Sequence, residues 1–127
     1  MGIAFHGHFF TWMDVARIDY LRNLGLMGEL HPTKGFTSVI RQVSCEFVSP
    51  ARFDDPLVVY TRLAEIGRTS FRFEFEIYHK RENRLVGKGQ STLVALDPSS
   101  WKPIPVPETF RAAVRKFEGE GLVERRA

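Results

Sequence analysis

Apolar positions near the start of the chain recur at steps of three and four. Phe9, Phe10, Met13, Ala16, Tyr20, Leu21 and Leu24 form one stripe, which predicts a helix over Phe9–Leu24. Asp14 and Arg17 are three apart on its flank, where a helix lets them pair. Gly25 is a natural stop. Residues 26–35, LMGELHPTKG, hold two glycines and a proline and read as a loop. The pattern then changes to segments that are β-branched or alternating: 36–49, 57–66, 70–80 and 84–97. The third is the clearest, with Phe71, Phe73, Phe75 and Ile77 on one side and Arg72, Glu74 and Glu76 on the other. In the fourth, Gly87 and Gly89 mark a bulge or a close approach of backbone. GRT (67–69) and REN (81–83) have the length of hairpin turns, so three of these strands should form an antiparallel meander. SPARFDDP (49–56) reads as a longer bend. The three prolines of WKPIPVP (101–107) exclude regular structure there. ETFRAAVRKFE (108–118) reads as a short helix, and residues 118–127 are expected to fray.

This order, one helix and then an antiparallel sheet of at least four long strands, predicts an α+β fold in a single domain over residues 1–127. One helix covers one face of such a sheet; solvent or a partner must cover the other. Hydrophobic residues make up 43% of the chain and aromatics 13%, enough for a compact core. Eleven phenylalanines must largely be buried or lie at a subunit interface. A net charge of +3 is too weak to argue for nucleic acid but suits an anionic ligand. The single cysteine, Cys45, offers no intrachain disulfide and no metal cluster, and its strand setting favours a small core residue over a nucleophile. No run of 18 apolar residues predicts a membrane span, and no signal peptide is visible. The expectation is a soluble cytoplasmic protein.

Several separated motifs carry a resemblance. GIAFHGHFFTWMDVARIDYLR (2–22) is similar to the segment that opens the central helix in the 4-hydroxybenzoyl-CoA thioesterase and YbgC-like family of hotdog acyl-CoA thioesterases, with Gly2, His6, Phe9, Asp14, Ala16 and Arg17 in the family's places. SPARFDDPLVV (49–59) resembles its bend before the next strand, GRTSFRFEFEI (67–77) its turn and strand, and VALDPSSWKPIPVPETF (94–110) its ending. The resemblance implies a hotdog fold, an antiparallel sheet wrapped around a central helix. It implies hydrolysis of an acyl-CoA thioester to free acid and CoA, with no cofactor beyond the CoA of the substrate, in a homodimer or homotetramer whose sites lie between subunits. The family also places a first strand, and a catalytic Asp three residues before the glycine matched by Gly2, ahead of this chain's first residue. The expectation is therefore a truncated start, with an acyl-CoA-binding protein lacking the acid as the alternative. A hotdog dehydratase acting on acyl thioesters is a third reading, from which the ARFDD and DP…KP motifs point away.

Thioester hydrolysis needs an attacking water or carboxylate, a stabilised oxyanion and a dry slot for the acyl chain. A helix N-terminus meets the second need. The resemblance puts the carbonyl against the backbone N–H near His6, with the His6 imidazole orienting water or acting as a base near neutral pH, or merely capping or packing. Candidate catalytic residues are His6, Gly2 and Asp14; Asp14 alternatively lines the acyl pocket or pairs with Arg17. His8 with His6 is poor metal-ligand geometry, and no metal is expected. The resemblance places nucleotide contacts at the GRTS turn. There Arg68, Thr69 and Ser70 offer a guanidinium, two hydroxyls and open N–H groups to phosphate; an ordinary exposed hairpin turn is the alternative.

Overall fold

The computed structural model of the protein describes residues 7–27, 30–31, 34–52 and 54–126. It opens with helix α1, Gly7–Asn23. Gly25 follows in the left-handed region at φ 73°, and the Leu26 N–H returns to the Leu21 carbonyl at 2.9 Å, which closes the helix end. Within the predicted loop, Leu30–His31 (β1) and Lys34–Gly35 (β2) pair as a small antiparallel ribbon.

The sheet comprises β3 (Thr37–Phe47), β4 (Leu57–Ile66), β5 (Ser70–His79), β6 (Arg84–Leu96) and the two-residue β7 (Val123–Glu124), in the order β3-β6-β5-β4-β7. The long strands are antiparallel, and β7 alone runs parallel to its neighbour β4. The meander predicted from the two short turns is thus β4-β5-β6. Each long pairing contains one bulge, which leaves Arg41, Ala64 and Val86 as the extra residues.

Alternation sets the layers. Phe71, Phe73, Phe75 and Ile77 of β5 are almost wholly buried, facing the same layer as Phe9, Met13, Tyr20 and Leu21 of α1. Burying each such side chain contributes roughly 1.5–3 kcal/mol. Tyr20 meets Phe73 edge-on at 5.3 Å. The two strand glycines turn out to be a close approach. A Cβ on Gly89 would lie 2.6 Å from Met13 Sδ and 2.6 Å from the Ser44 carbonyl, and one on Gly87 would lie 3.2 Å from the Phe9 ring. The helix therefore rests directly on β6 where that strand has no side chains. The opposite face of the sheet is polar, with Arg62, Glu74, Arg72, Glu65 and Arg125 linked in a chain of ion pairs.

Helix α2, Glu108–Glu118, closes one end with Phe110 and Val114 in the core. Its Glu118 carboxylate accepts the Tyr20 hydroxyl at 2.6 Å and the Leu63 N–H at 3.0 Å, tying both helices to β4. Residues 119–126, expected to fray, are held. A 3-10 turn at Gly119–Gly121 leads into β7, and the Arg125 N–H donates to the Ile66 carbonyl at 2.7 Å. Ion pairs from Arg115 to Glu124 and from Arg125 to Glu65 reinforce this edge. Composition alone suggested a loose tail because its partners, Glu65 and Ile66, lie some sixty residues earlier.

Candidate functional site

Two regions carry the chemistry that the sequence suggests. The first is the start of α1. The N–H groups that open a helix have no acceptor within it, and the helix dipole adds to their pull on negative charge. Gly7 is half-buried there; His8 is exposed and stacks on Trp12 at 6.1 Å. Phe9 is buried between Trp12 and Phe47, with both ring pairs at 4.9 Å. Anchored by Phe9 on Gly87 and Met13 on Gly89, this helix end sits over the ends of β3 and β6 that hold Phe47 and Gly87. Gly2 and His6, the two candidates placed at this spot, lie outside the described residues.

Asp14 lies seven residues beyond Gly7, about 10 Å along the helix axis. Its half-exposed carboxylate is 3.7 Å from the Arg17 guanidinium. The structure thus brings Asp14 to Arg17, the pairing anticipated from the sequence, and away from the helix start. Cys45 faces the helix layer opposite Gly89, and burial pushes its thiol above the ordinary range, which disfavours the thiolate a nucleophile needs.

The second region is the β4–β5 turn, Gly67–Ser70. All four of its carbonyls are engaged. Gly67 O accepts from Arg111 at 2.5 Å, Arg68 O from the Val106 N–H at 2.9 Å, Thr69 O from the Ala95 N–H at 2.8 Å, and Ser70 O from the Gly67 N–H at 2.7 Å. The N–H groups of Arg68 and Thr69 have no acceptor among the described residues, nor do the Thr69 and Ser70 hydroxyls have partners there. The Arg68 side chain is exposed and makes no ion pair among the described residues. What the turn offers outward is therefore donors and positive charge, the requirement for an anion. A cleft of about 220 Å³ adjoins it, lined by Gly67, Ser70, Thr92 and the guanidinium-bearing Arg41, Arg72 and Arg125, with Glu65 as the one carboxylate. Glu65 is held below the usual carboxylate range by hydrogen bonds from Arg72 and Arg125.

Two residues escaped the sequence reading. Buried His79 accepts the Glu82 N–H at Nδ1 (3.2 Å), and its Nε2 faces Asp55 3.5 Å away, fastening the 49–56 bend to the end of β5. Arg111 is 2% exposed, and its signal was present: it adjoins Phe110 and precedes Val114 by three, on the buried stripe of α2.

The helix start and the turn lie at opposite ends of the sheet. Phe9 covers Gly87, whereas Ser70 pairs with Val94 of the same strand. Seven residues of strand separate those positions, roughly 23 Å.

Comparison with known proteins places this geometry. A family model described as "Thioesterase superfamily" matches residues 1–86. The acyl-CoA thioester hydrolase YbgC of Escherichia coli O6:H1 is 26% identical over 115 residues, covering 91% of this chain and 85% of that protein. Among solved structures, a thioesterase of Thermus thermophilus complexed with coenzyme A and Zn superposes with a TM-score of 0.78 at 27% identity, covering 94% of this chain and 84% of that one. A gentisyl-coenzyme A thioesterase superposes with a TM-score of 0.75 at 27% identity, covering 89% and 87%.

Proposed function

The chain belongs to the thioesterase superfamily, and from that premise we propose that it hydrolyses an acyl-CoA thioester to free acid and CoA. The observation that carries this reading is the Gly67–Ser70 turn, whose carbonyls are consumed internally and whose free donors match the phosphates of coenzyme A. Arg68 pairs with phosphate, while the hydroxyls of Thr69 and Ser70 and the two free N–H groups complete its oxygen shell. At the other end of the substrate, the amides opening α1 polarise the thioester carbonyl and stabilise the oxyanion as water attacks. The thiolate of CoA then leaves.

The roughly 23 Å between these two regions argues for a second copy of the chain. β3 is an edge strand, and Ile40, Val43 and Phe47 on its helix-facing side are 41–48% exposed. A twofold contact along that edge covers these residues and runs the two β3 strands antiparallel. It also sets the helix start of one protomer at the sheet end where the other carries its turn. The site is then shared between protomers, and the functional unit is a homodimer or an assembly of homodimers.

The test is hydrolysis of a panel of acyl-CoA esters by the protein and by Arg68→Ala. Loss of a charge-assisted contact of about 1.5 kcal/mol raises KM roughly tenfold. An acyl-N-acetylcysteamine thioester, which lacks the phosphates, should be indifferent to the substitution. CoA binding without turnover would favour the non-hydrolytic reading; absence of both binding and turnover would overturn the proposal.

A further inference from the structure

The donor-only character of the Gly67–Ser70 turn has a buried source. Arg111 lies beneath it with 2% exposure and distributes its guanidinium over three separate stretches of backbone. Nη2 donates to the Gly67 carbonyl at 2.5 Å and to the Arg125 carbonyl at 3.3 Å, Nε donates to the Val106 carbonyl at 3.4 Å, and Nη1 faces Glu124 at 3.4 Å. Val106 in turn donates its N–H to the Arg68 carbonyl. One side chain therefore joins the turn, the proline-rich segment before α2 and the C-terminal strand β7.

We propose that Arg111 is the positioning residue of the phosphate-binding turn, and that the C-terminal segment ending in β7 belongs to the substrate site through it. This rests on the reading of Arg68, Thr69 and Ser70 as the phosphate contact. The geometry is specific. A guanidinium carries five N–H donors in a fixed planar fork, so it can hold three carbonyls whose directions differ. With the Gly67 and Arg68 carbonyls drawn inward, the N–H groups of Arg68 and Thr69 turn outward. Released from Arg111, the Gly67 carbonyl is free to rotate toward the anion and oppose its binding. Arg111 does not touch the substrate; it decides which backbone atoms do.

The experiment compares Arg111→Lys and Arg111→Met with the unaltered protein and with Arg68→Ala, on an acyl-CoA and on the corresponding acyl-N-acetylcysteamine thioester. A lysine keeps the charge but cannot reach all three carbonyls from one atom. The proposal expects KM for the acyl-CoA to rise about fivefold or more in both Arg111 variants, with kcat within twofold. It expects kcat/KM for the phosphate-free thioester to be unchanged. A parallel fall on both substrates indicates a general structural role and overturns it. No change in either Arg111 variant, while Arg68→Ala raises KM, overturns it and leaves the turn as the phosphate contact. No change in Arg68→Ala removes the turn from the site and this proposal with it. If Arg111→Met does not fold, Glu124→Gln supplies the same test from the surface, with a two- to threefold rise in KM for acyl-CoA alone expected and no rise overturning the proposal.

Discussion

Replacing Gly89 with alanine adds one methyl group where α1 rests on the sheet. That methyl would sit 2.6 Å from Met13 Sδ and 2.6 Å from the Ser44 carbonyl. The thioether can swing away. The Ser44 carbonyl cannot, because it belongs to β3, paired in register with β6 at Gln90. Overpacking of this kind costs about 1–3 kcal/mol. Alanine recovers about 0.5–1 kcal/mol by restricting the unfolded chain, which leaves a net destabilisation of up to roughly 2.5 kcal/mol. For a chain of this size that lowers Tm by up to roughly 10 °C. Gly87→Ala is the milder comparison. Its nearest contacts, the Glu46 carbonyl and the Phe9 ring, are both at 3.2 Å, where a shift of a few tenths of an ångström suffices, so it should destabilise less than Gly89→Ala. Urea denaturation followed by fluorescence measures both, with an unchanged m-value showing that the two unfolded states are comparable. Gly89→Ala also displaces the Met13 side chain that seats the first turns of α1, so kcat for thioester hydrolysis at 25 °C should fall; a displacement of about 1 Å can cost up to 100-fold. If Gly89→Ala matches Gly87→Ala in both stability and kcat, the helix does not bear on β6 at this point.

Other consequences follow from single contacts. Tyr20→Phe removes the hydroxyl that donates to Glu118 and should lower stability by about 1–2 kcal/mol in denaturant titration; an unchanged midpoint would mean that water serves that carboxylate equally well. Because Arg72 and Arg125 depress the Glu65 pKa on folding, its contribution is complete above the ordinary glutamate value of about 4.3 and is lost as pH falls through the folded value. Glu65→Gln should therefore be less stable near neutrality and show a shallower loss of stability below about pH 4.3; parallel acid limbs would contradict the assignment. Val43→Glu places a charge on the exposed, helix-facing side of β3 and, if the proposed contact along that edge holds, should yield monomer where the parent gives dimer in sedimentation analysis, with loss of turnover; an active dimer would place the subunit contact elsewhere.

How much of this was legible in the residues differs from element to element. The stripe Phe9 to Leu24 and the alternation at 71–77 each encode a local period, and a local period suffices to set a helix or a strand and its buried face. The turns at 67–69 and 81–83 were legible for the same reason: chain length between two strands fixes a hairpin. The glycines of β6 announced a bulge or a close approach, and Asp14 was readable either as a catalytic acid or as the partner of Arg17. What approached the glycines could not be read, since Met13 and Gly89 are seventy-six residues apart and meet only once the sheet is formed. The ordered tail and the role of Arg111 were hidden likewise. The α2 stripe hinted that Arg111 is buried, but its role is recognisable only when the carbonyls that satisfy it, at Gly67, Val106 and Arg125, have been brought together from distant parts of the chain. Sequence thus determined the long elements and the residue types available for chemistry, but not the short strands β1, β2 and β7. Tertiary structure decided which turn became a surface of donors, because hydrogen-bond satisfaction of backbone belongs to the whole fold and not to any one segment of it.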